Sequence, residues 1–141
     1  MLDIPSKLRA KVNRRLKSEY FVWFTTVGGN LAPQPRPVWF LWEPASGSFL
    51  IYSQPHARKT QHLLEHPKVA LHFNADSTGD NDVLVFIGTA QMDPAAPSAN
   101  QVQAYIRKYR DGLAALKMTP ESFSQDYSTA IRIIPTSFRG W

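Results

Sequence analysis

Residues 20–43 have the sequence YFVWFTTVGGNLAPQPRPVWFLWE, which gives the clearest indication of the fold. The aromatic and β-branched run at 20–27 is typical of a strand, and the Gly28-Gly29-Asn30 turn after it favours an antiparallel return over residues 34–43. Prolines alternate at the start of the return and remove N–H groups from one side of it. This half of the return therefore predicts a sheet edge or a lip over a ligand.

The second half of the return is apolar on both faces. Side chains alternate along a strand, so Trp39 and Leu41 face one way. Val38, Phe40 and Trp42 face the other way. A strand that is apolar on both faces needs two partners. The core of the domain can cover one face; a planar ligand, a second subunit or packed helices can cover the other.

The rest of the chain continues this pattern of short strands. Strands are predicted at residues 20–27, 34–43, 49–53, 69–73, 83–92 and 130–134. Helices are predicted at residues 6–18, 57–66, 94–109 and 119–126, and residues 137–141 are predicted to form an aromatic, basic tail. Helices inserted among strands, rather than alternating with them, predict a mainly β fold, a six-stranded antiparallel barrel with flanking helices. We expect one domain over 1–141, with the N-terminal helix in 1–18 and the barrel in 19–141.

Composition excludes several classes of site. The 141 residues include no cysteine, which rules out disulfides, thiolate metal sites and cysteine nucleophiles. No apolar run approaches the roughly 20 residues of a membrane span, and no signal-peptide pattern is present. We therefore expect a cytoplasmic protein that does not enter a membrane.

The positive charge lies at one end of the chain. The first 17 residues hold six basic residues and one acidic residue, which accounts for the whole net charge of +5. Nucleic-acid-binding surfaces usually spread basic residues along a groove. The pattern favours a solvated helix face, and no nucleic-acid partner is expected. An adaptor for nucleic acid or an acidic partner is kept as an alternative.

The segment from Tyr52 to Lys59 suggests an anion site. A strand ends there, a turn follows, and a helix begins with Arg58 and Lys59. Free N–H groups at a helix start favour anions, and two cations strengthen that preference. A phosphate site and a solvated Arg-Lys pair are both compatible with this pattern.

No dedicated catalytic or metal constellation is evident. His62 and His66 share a helix face, but the H-E-x-x-H arrangement is missing, so no metal site is predicted. Neither a dinucleotide-binding glycine motif, a P-loop nor a nucleophile elbow is present. We predict no catalytic side chain.

Three segments together resemble a known family: 21–43, 49–73 (FLIYSQPHARKTQHLLEHPKVALHF) and 83–91 (VLVFIGTAQ). They are similar to the pyridoxamine 5′-phosphate oxidase-like, flavin- and deazaflavin-binding split β-barrels, and most of all to the probable coenzyme F420-dependent enzymes. The resemblance implies a homodimer with two cofactor sites at the subunit interface. Ala57 stands where the family commonly has serine, and the substrate-phosphate residues of true pyridoxamine phosphate oxidases are not found, so vitamin B6 oxidation is not expected.

The resemblance also implies the site residues. The cofactor-binding residues would be Arg36, Pro37, Val38, Trp39, Phe40, Tyr52, Ser53, Arg58 and Lys59. A substrate pocket would include Trp42, Phe138, Arg139 and Trp141. The implied activity is hydride transfer between F420 or FMN and a small organic substrate. The alternative is a flavin-, F420- or haem-binding protein without turnover, in which His56 or His72 would be the axial haem ligand.

Overall fold

The computed structural model describes residues 2–141, and most of its regular structure is β-sheet. The strands are β1 (Val22–Val27), β2 (Pro33–Val38), β3 (Leu41–Glu43), β4 (Ser48–Ser53), β5 (Lys68–His72), β6 (Leu84–Met92) and β7 (Thr129–Gly140). The helices are α1 (Arg9–Ser18), α2 (Arg58–Glu65), α3 (Gln103–Lys108), α4 (Arg110–Ala115) and α5 (Pro120–Asp126). Short 3-10 turns cover Ser6–Leu8 and Ala99–Gln101.

One antiparallel sheet holds all seven strands, in the order β2-β1-β5-β6-β7-β4-β3. The sheet curls into a half-barrel with helices packed around it, which confirms the predicted split-barrel fold. Strand β2 lies at one end of the sheet and pairs only with β1. Its alternate prolines therefore stand on an edge, as predicted. No helix within residues 2–141 has both the length and the apolar character needed to cross a bilayer.

The predicted count of six strands is wrong, because the return strand breaks at Trp39 and Phe40. Its two halves, β2 and β3, lie at opposite ends of the sheet. At the break, the Phe40 N–H donates to the Tyr109 hydroxyl at 2.7 Å, and Lys108 Nζ donates to the Phe40 carbonyl at 3.0 Å. Side chains of α3 and the residue after it thus replace a neighbouring strand as partners for this backbone.

Two other sequence expectations are corrected. The predicted tail at 137–141 belongs mostly to β7, which runs to Gly140 and pairs along the whole of β6. The helix predicted over 94–109 is shorter, because residues before the 3-10 turn are not helical and Val102 is extended ahead of α3. The helix at 120–126 forms as expected, with the Thr119 hydroxyl accepting from the Ser122 N–H at 3.0 Å.

Two apolar clusters flank the sheet. The barrel cluster contains Phe40, with Val38 and Trp42 packed against it. The helix cluster lies under α3, α4 and α5, and Trp39 and Leu41 pack against it. The predicted alternation of faces is therefore confirmed. Strand β4 is buried along its whole length, because it separates the two clusters.

Candidate functional site

A cavity of about 580 Å³ lies beside the edge strand β2, next to the helix cluster. Strand β2, the end of β4, the start of α2 and helices α3 and α5 each contribute to its wall. Its lining consists of Phe21, Trp23, Arg36, Pro37, Val38, Trp39, Tyr52, Lys59, Tyr105, Leu116, Phe123 and Tyr127. The volume suits one ligand of drug-like size. Among residues 2–141, two cations and no carboxylate line the cavity.

Arg36 and Lys59 form the charged part of the wall. The Nε atom of Arg36 is buried and has no hydrogen-bond partner within residues 2–141. Burial lowers the pKa of Lys59, and the positive charge of Arg36 lowers it further. Two cations that repel each other in a partly desolvated site raise the free energy of the folded protein unless an anion binds to them. This part of the cavity is built for an anion.

Aromatic side chains form the rest of the wall. The Trp39 ring stacks on Tyr109 with centroids 4.5 Å apart and on Phe123 at 5.8 Å. Phe123 stacks in turn on Tyr127 at 4.5 Å. These stacked, roughly parallel rings make this side of the cavity aromatic and apolar, which suits a planar ligand.

Tyr109 and Gly112 contact the Trp39 ring and determine its position. The Tyr109 hydroxyl accepts from the Phe40 N–H and lies 2.7 Å and 2.9 Å from the carbonyl oxygens of Phe40 and Tyr20. A Cβ atom on Gly112 would come within 2.7 Å of the Trp39 ring and would also meet the Tyr20 hydroxyl. Gly112 is therefore the residue that lets Trp39 lie against α4.

The two phenols of the cavity wall differ in their partners. The Tyr52 hydroxyl donates to the Pro97 carbonyl at 2.6 Å, and burial raises the pKa of Tyr52 to about 12. The Tyr105 hydroxyl is buried without a partner in the described chain, and burial raises the pKa of Tyr105 as well. Both phenols therefore stay protonated at neutral pH, and each can donate one hydrogen bond.

Lys108 supports the break in the return strand and gives a pH-dependent prediction. Its ammonium lies 3.7 Å from the centre of the Phe40 ring, and burial lowers the pKa of Lys108 to about 8. The unfolded chain keeps this proton up to a pH of about 10.4, so between pH 8 and that value the unfolded state binds more protons. Stability attributable to Lys108 should therefore rise with pH across this window.

Chemical denaturation between pH 7.5 and 9, where unfolded tyrosines remain mostly protonated, tests this expectation. The free energy of unfolding of the wild type should rise relative to that of Lys108→Met as pH increases. The exposed Lys68 provides the control, since Lys68→Met should keep the wild-type slope. Parallel curves for the wild type and Lys108→Met would contradict the lowered pKa.

The structure brings most of the implied cofactor-binding residues together. Six of the nine line the cavity: Arg36, Pro37, Val38, Trp39, Tyr52 and Lys59. The other three do not. Phe40 is fully buried in the barrel cluster, Ser53 is buried and donates to the Gln54 carbonyl at 3.2 Å, and Arg58 is exposed on α2. Within one chain, Lys59 and not Arg58 faces the cavity.

The residues implied for a substrate pocket lie elsewhere in the chain. Trp42 packs on Phe49 in the barrel cluster, with ring centroids 4.9 Å apart. Phe138 packs on Phe86. Arg139 is exposed, and the Trp141 indole donates to the Asp80 carbonyl at 2.7 Å. None of the four lines the cavity of its own chain, so their contribution from a second copy stays a prediction.

Half of the residues that line the cavity were not among the site residues predicted from the sequence. The missed residues are Phe21, Trp23, Tyr105, Leu116, Phe123 and Tyr127. Tyr105 and Tyr109 are spaced as neighbours on one helix face, a pattern that core residues share. Only their packing against Trp39 and Tyr52 distinguishes the wall from ordinary core.

The histidines do not converge on this cavity. His62 Nδ1 lies 3.0 Å from the Thr26 hydroxyl, His72 stacks on Trp23, and His56 is exposed before α2. Within residues 2–141 the cavity lining includes no histidine. Nor do three His, Asp or Glu side chains of the described residues come together as a possible metal site.

Comparison with known proteins identifies the family. A family model described as pyridoxamine 5′-phosphate oxidase matches residues 8–141. The chain belongs to the pyridoxamine 5′-phosphate oxidase-like family. A search of curated proteins finds no match.

Solved structures with the same fold belong to proteins of several different kinds. A putative pyridoxamine 5′-phosphate oxidase from Listeria innocua is 22% identical with a TM-score of 0.68, covering 94% of this chain and 96% of that one. An F420 reductase is 18% identical with a TM-score of 0.68, covering 90% and 94%. The heme storage protein HutZ from Vibrio cholerae is 15% identical with a TM-score of 0.63, covering 94% of both chains. At these identities the likeness establishes the fold alone.

Proposed function

We propose that the protein is an oxidoreductase that binds FMN or F420 in the cavity beside β2 and transfers hydride to or from a small organic substrate. One observation carries the proposal. Arg36 and Lys59 stand together, partly desolvated and without a carboxylate, next to a wall of stacked aromatic rings. A phosphate joined to a flat ring system satisfies both halves of such a site.

Each residue of the wall has a role in this proposal. Arg36 and Lys59 bind the phosphate, with the guanidinium giving directional hydrogen bonds and the ammonium a mobile charge. Trp39, Phe123 and Tyr127 flank the ring and exclude water from its face. When bound, the flavin or deazaflavin supplies the hydride chemistry itself. The chain needs no base of its own, consistent with a cavity whose phenols stay protonated.

His56 and His72, the axial ligands of the haem alternative, do not line this cavity in their own chain, so that alternative takes no support from it. A homodimer is part of the proposal. In a dimer, the exposed Arg139 and Trp141 could complete the substrate side of the partner's cavity.

Parallel titration of the protein with FMN and oxidised F420, followed by ligand fluorescence, tests the proposal. We expect a dissociation constant in the micromolar range or below for at least one of them. Binding of F420 with weak FMN binding would make the protein an F420-dependent reductase, and the reverse would make it a flavoprotein. Lack of binding to both would overturn the redox assignment.

A further inference from the structure

Tyr105 carries a buried hydroxyl that nothing in the described chain satisfies. Its side chain has no solvent exposure, lines the cavity and projects from α3. The hydroxyl has no hydrogen-bond partner within residues 2–141. Buried hydroxyls in proteins are nearly always hydrogen-bonded, so this exception needs an explanation.

The neighbours of Tyr105 cannot supply the missing partner. Its ring packs against Tyr109 at 4.8 Å, Tyr52 at 5.1 Å and Phe123 at 5.9 Å between centroids. The Tyr52 hydroxyl is held by the Pro97 carbonyl, and the Tyr109 hydroxyl by the backbone at the Phe40 break. Neither neighbouring phenol forms a hydrogen bond with the Tyr105 hydroxyl, and Phe123 has no polar atom. Tyr105 lines the cavity, so a ligand bound there is a partner from outside residues 2–141 that its hydroxyl could gain.

We propose that the Tyr105 hydroxyl donates a hydrogen bond to a carbonyl oxygen or ring nitrogen of the planar ligand that fills this cavity. Tyr105 is then the ring-recognising residue of the site, as Arg36 and Lys59 are its phosphate-binding residues. The inference rests on the proposed function, since it takes the ligand to be a flat ring system. It adds to the proposed function that the ring system carries a hydrogen-bond acceptor, which stacking on apolar rings alone would not require.

Removal of this hydroxyl should have opposite effects on the free protein and on its complex. In the free protein the hydroxyl is unsatisfied, so Tyr105→Phe removes a desolvation cost and should leave the melting temperature unchanged or raise it. In the complex the same change removes a hydrogen bond. Ligand affinity should therefore fall about tenfold, the usual effect of one such bond. Tyr109→Phe gives the contrast, because its hydroxyl is bonded in the free protein and its loss should lower the melting temperature.

Titrations of wild type and Tyr105→Phe with FMN and with riboflavin, which lacks the phosphate, test the inference. The tyrosine change should weaken both ligands by the same factor. Equal affinities in wild type and variant, or a lower melting temperature without loss of affinity, would overturn the inference and leave the proposed function standing. If FMN and riboflavin bind wild type equally well, the phosphate assignment fails while the Tyr105 result is decided separately.

The outcome with F420 must also be considered. If wild type binds neither these ligands nor F420, both proposals are overturned. If wild type binds F420 alone, the Tyr105→Phe comparison is made with F420 under the same expectation. Tyr105→Phe keeps the ring and removes only an unsatisfied hydroxyl, so it should fold, and a variant that failed to fold would overturn the inference.

Discussion

Replacement of Arg36 and Lys59 by methionine together is expected to weaken FMN or F420 binding at least a hundredfold while the fold is kept. Hydrogen bonds to charged groups contribute about 1.5–3 kcal/mol each, and two of them correspond to this loss or more. Without ligand, the double variant should be as stable as the wild type or more stable. Both cations are partly desolvated there and repel each other, and the unbranched apolar side chain of methionine keeps part of their packing. Ligand titration and thermal unfolding measure the two effects.

The matched control is Arg58→Met with Lys68→Met. This pair removes the same two charges from exposed positions, one of them next to Lys59 in sequence. Its effect on affinity should stay within about threefold, as expected for the loss of screened surface charge. A control that weakened binding as much as the Arg36 and Lys59 pair would show that general positive charge, and not this cavity, attracts the ligand.

Comparison of Arg58 with Lys59 shows what sequence could and could not predict about the site. The pattern of a strand end, a turn and two cations indicated an anion site at the start of α2, and Lys59 does face the cavity. Which of two adjacent cations faces inward depends on helix phase, which is set by packing of the whole helix on the sheet. Arg36 came from the family resemblance, and only the fold places it beside Lys59.

The fold followed from local pattern more than the site did. Alternation of apolar residues predicted that Trp39 and Phe40 face different clusters, and the edge prolines predicted the place of β2. The break of the return strand was not predictable. Its partners, Lys108 and Tyr109, lie 68 and 69 residues further along the chain. Hydrogen bonds between the Phe40 backbone and side chains far along the chain thus outweigh a local sequence pattern that favours one continuous strand.

The same long-range packing makes Gly112 the most sensitive position behind the cavity. Gly112→Ala adds a methyl group that would lie 2.7 Å from the Trp39 ring and would meet the Tyr20 hydroxyl. Alanine in place of glycine usually favours a helix by about 1 kcal/mol, but overpacking costs about 1–3 kcal/mol. We therefore expect a lower melting temperature. We also expect at least tenfold weaker ligand binding, because Trp39 must shift into the cavity or away from Phe123.

Gly29→Ala is the matched control for this substitution. The added methyl group would lie 3.8 Å from the nearest atom, a Glu65 carboxylate oxygen, and Gly29 lies outside the cavity lining. Its melting temperature and ligand affinity should match wild type. Trp39→Phe placed on Gly112→Ala removes part of the obstructing ring and should recover melting temperature without recovering affinity, because the stacking surface is lost. Full affinity in Gly112→Ala would mean that the position of Trp39 does not determine ring binding, and the ligand would then have to be sought on another face of the cavity.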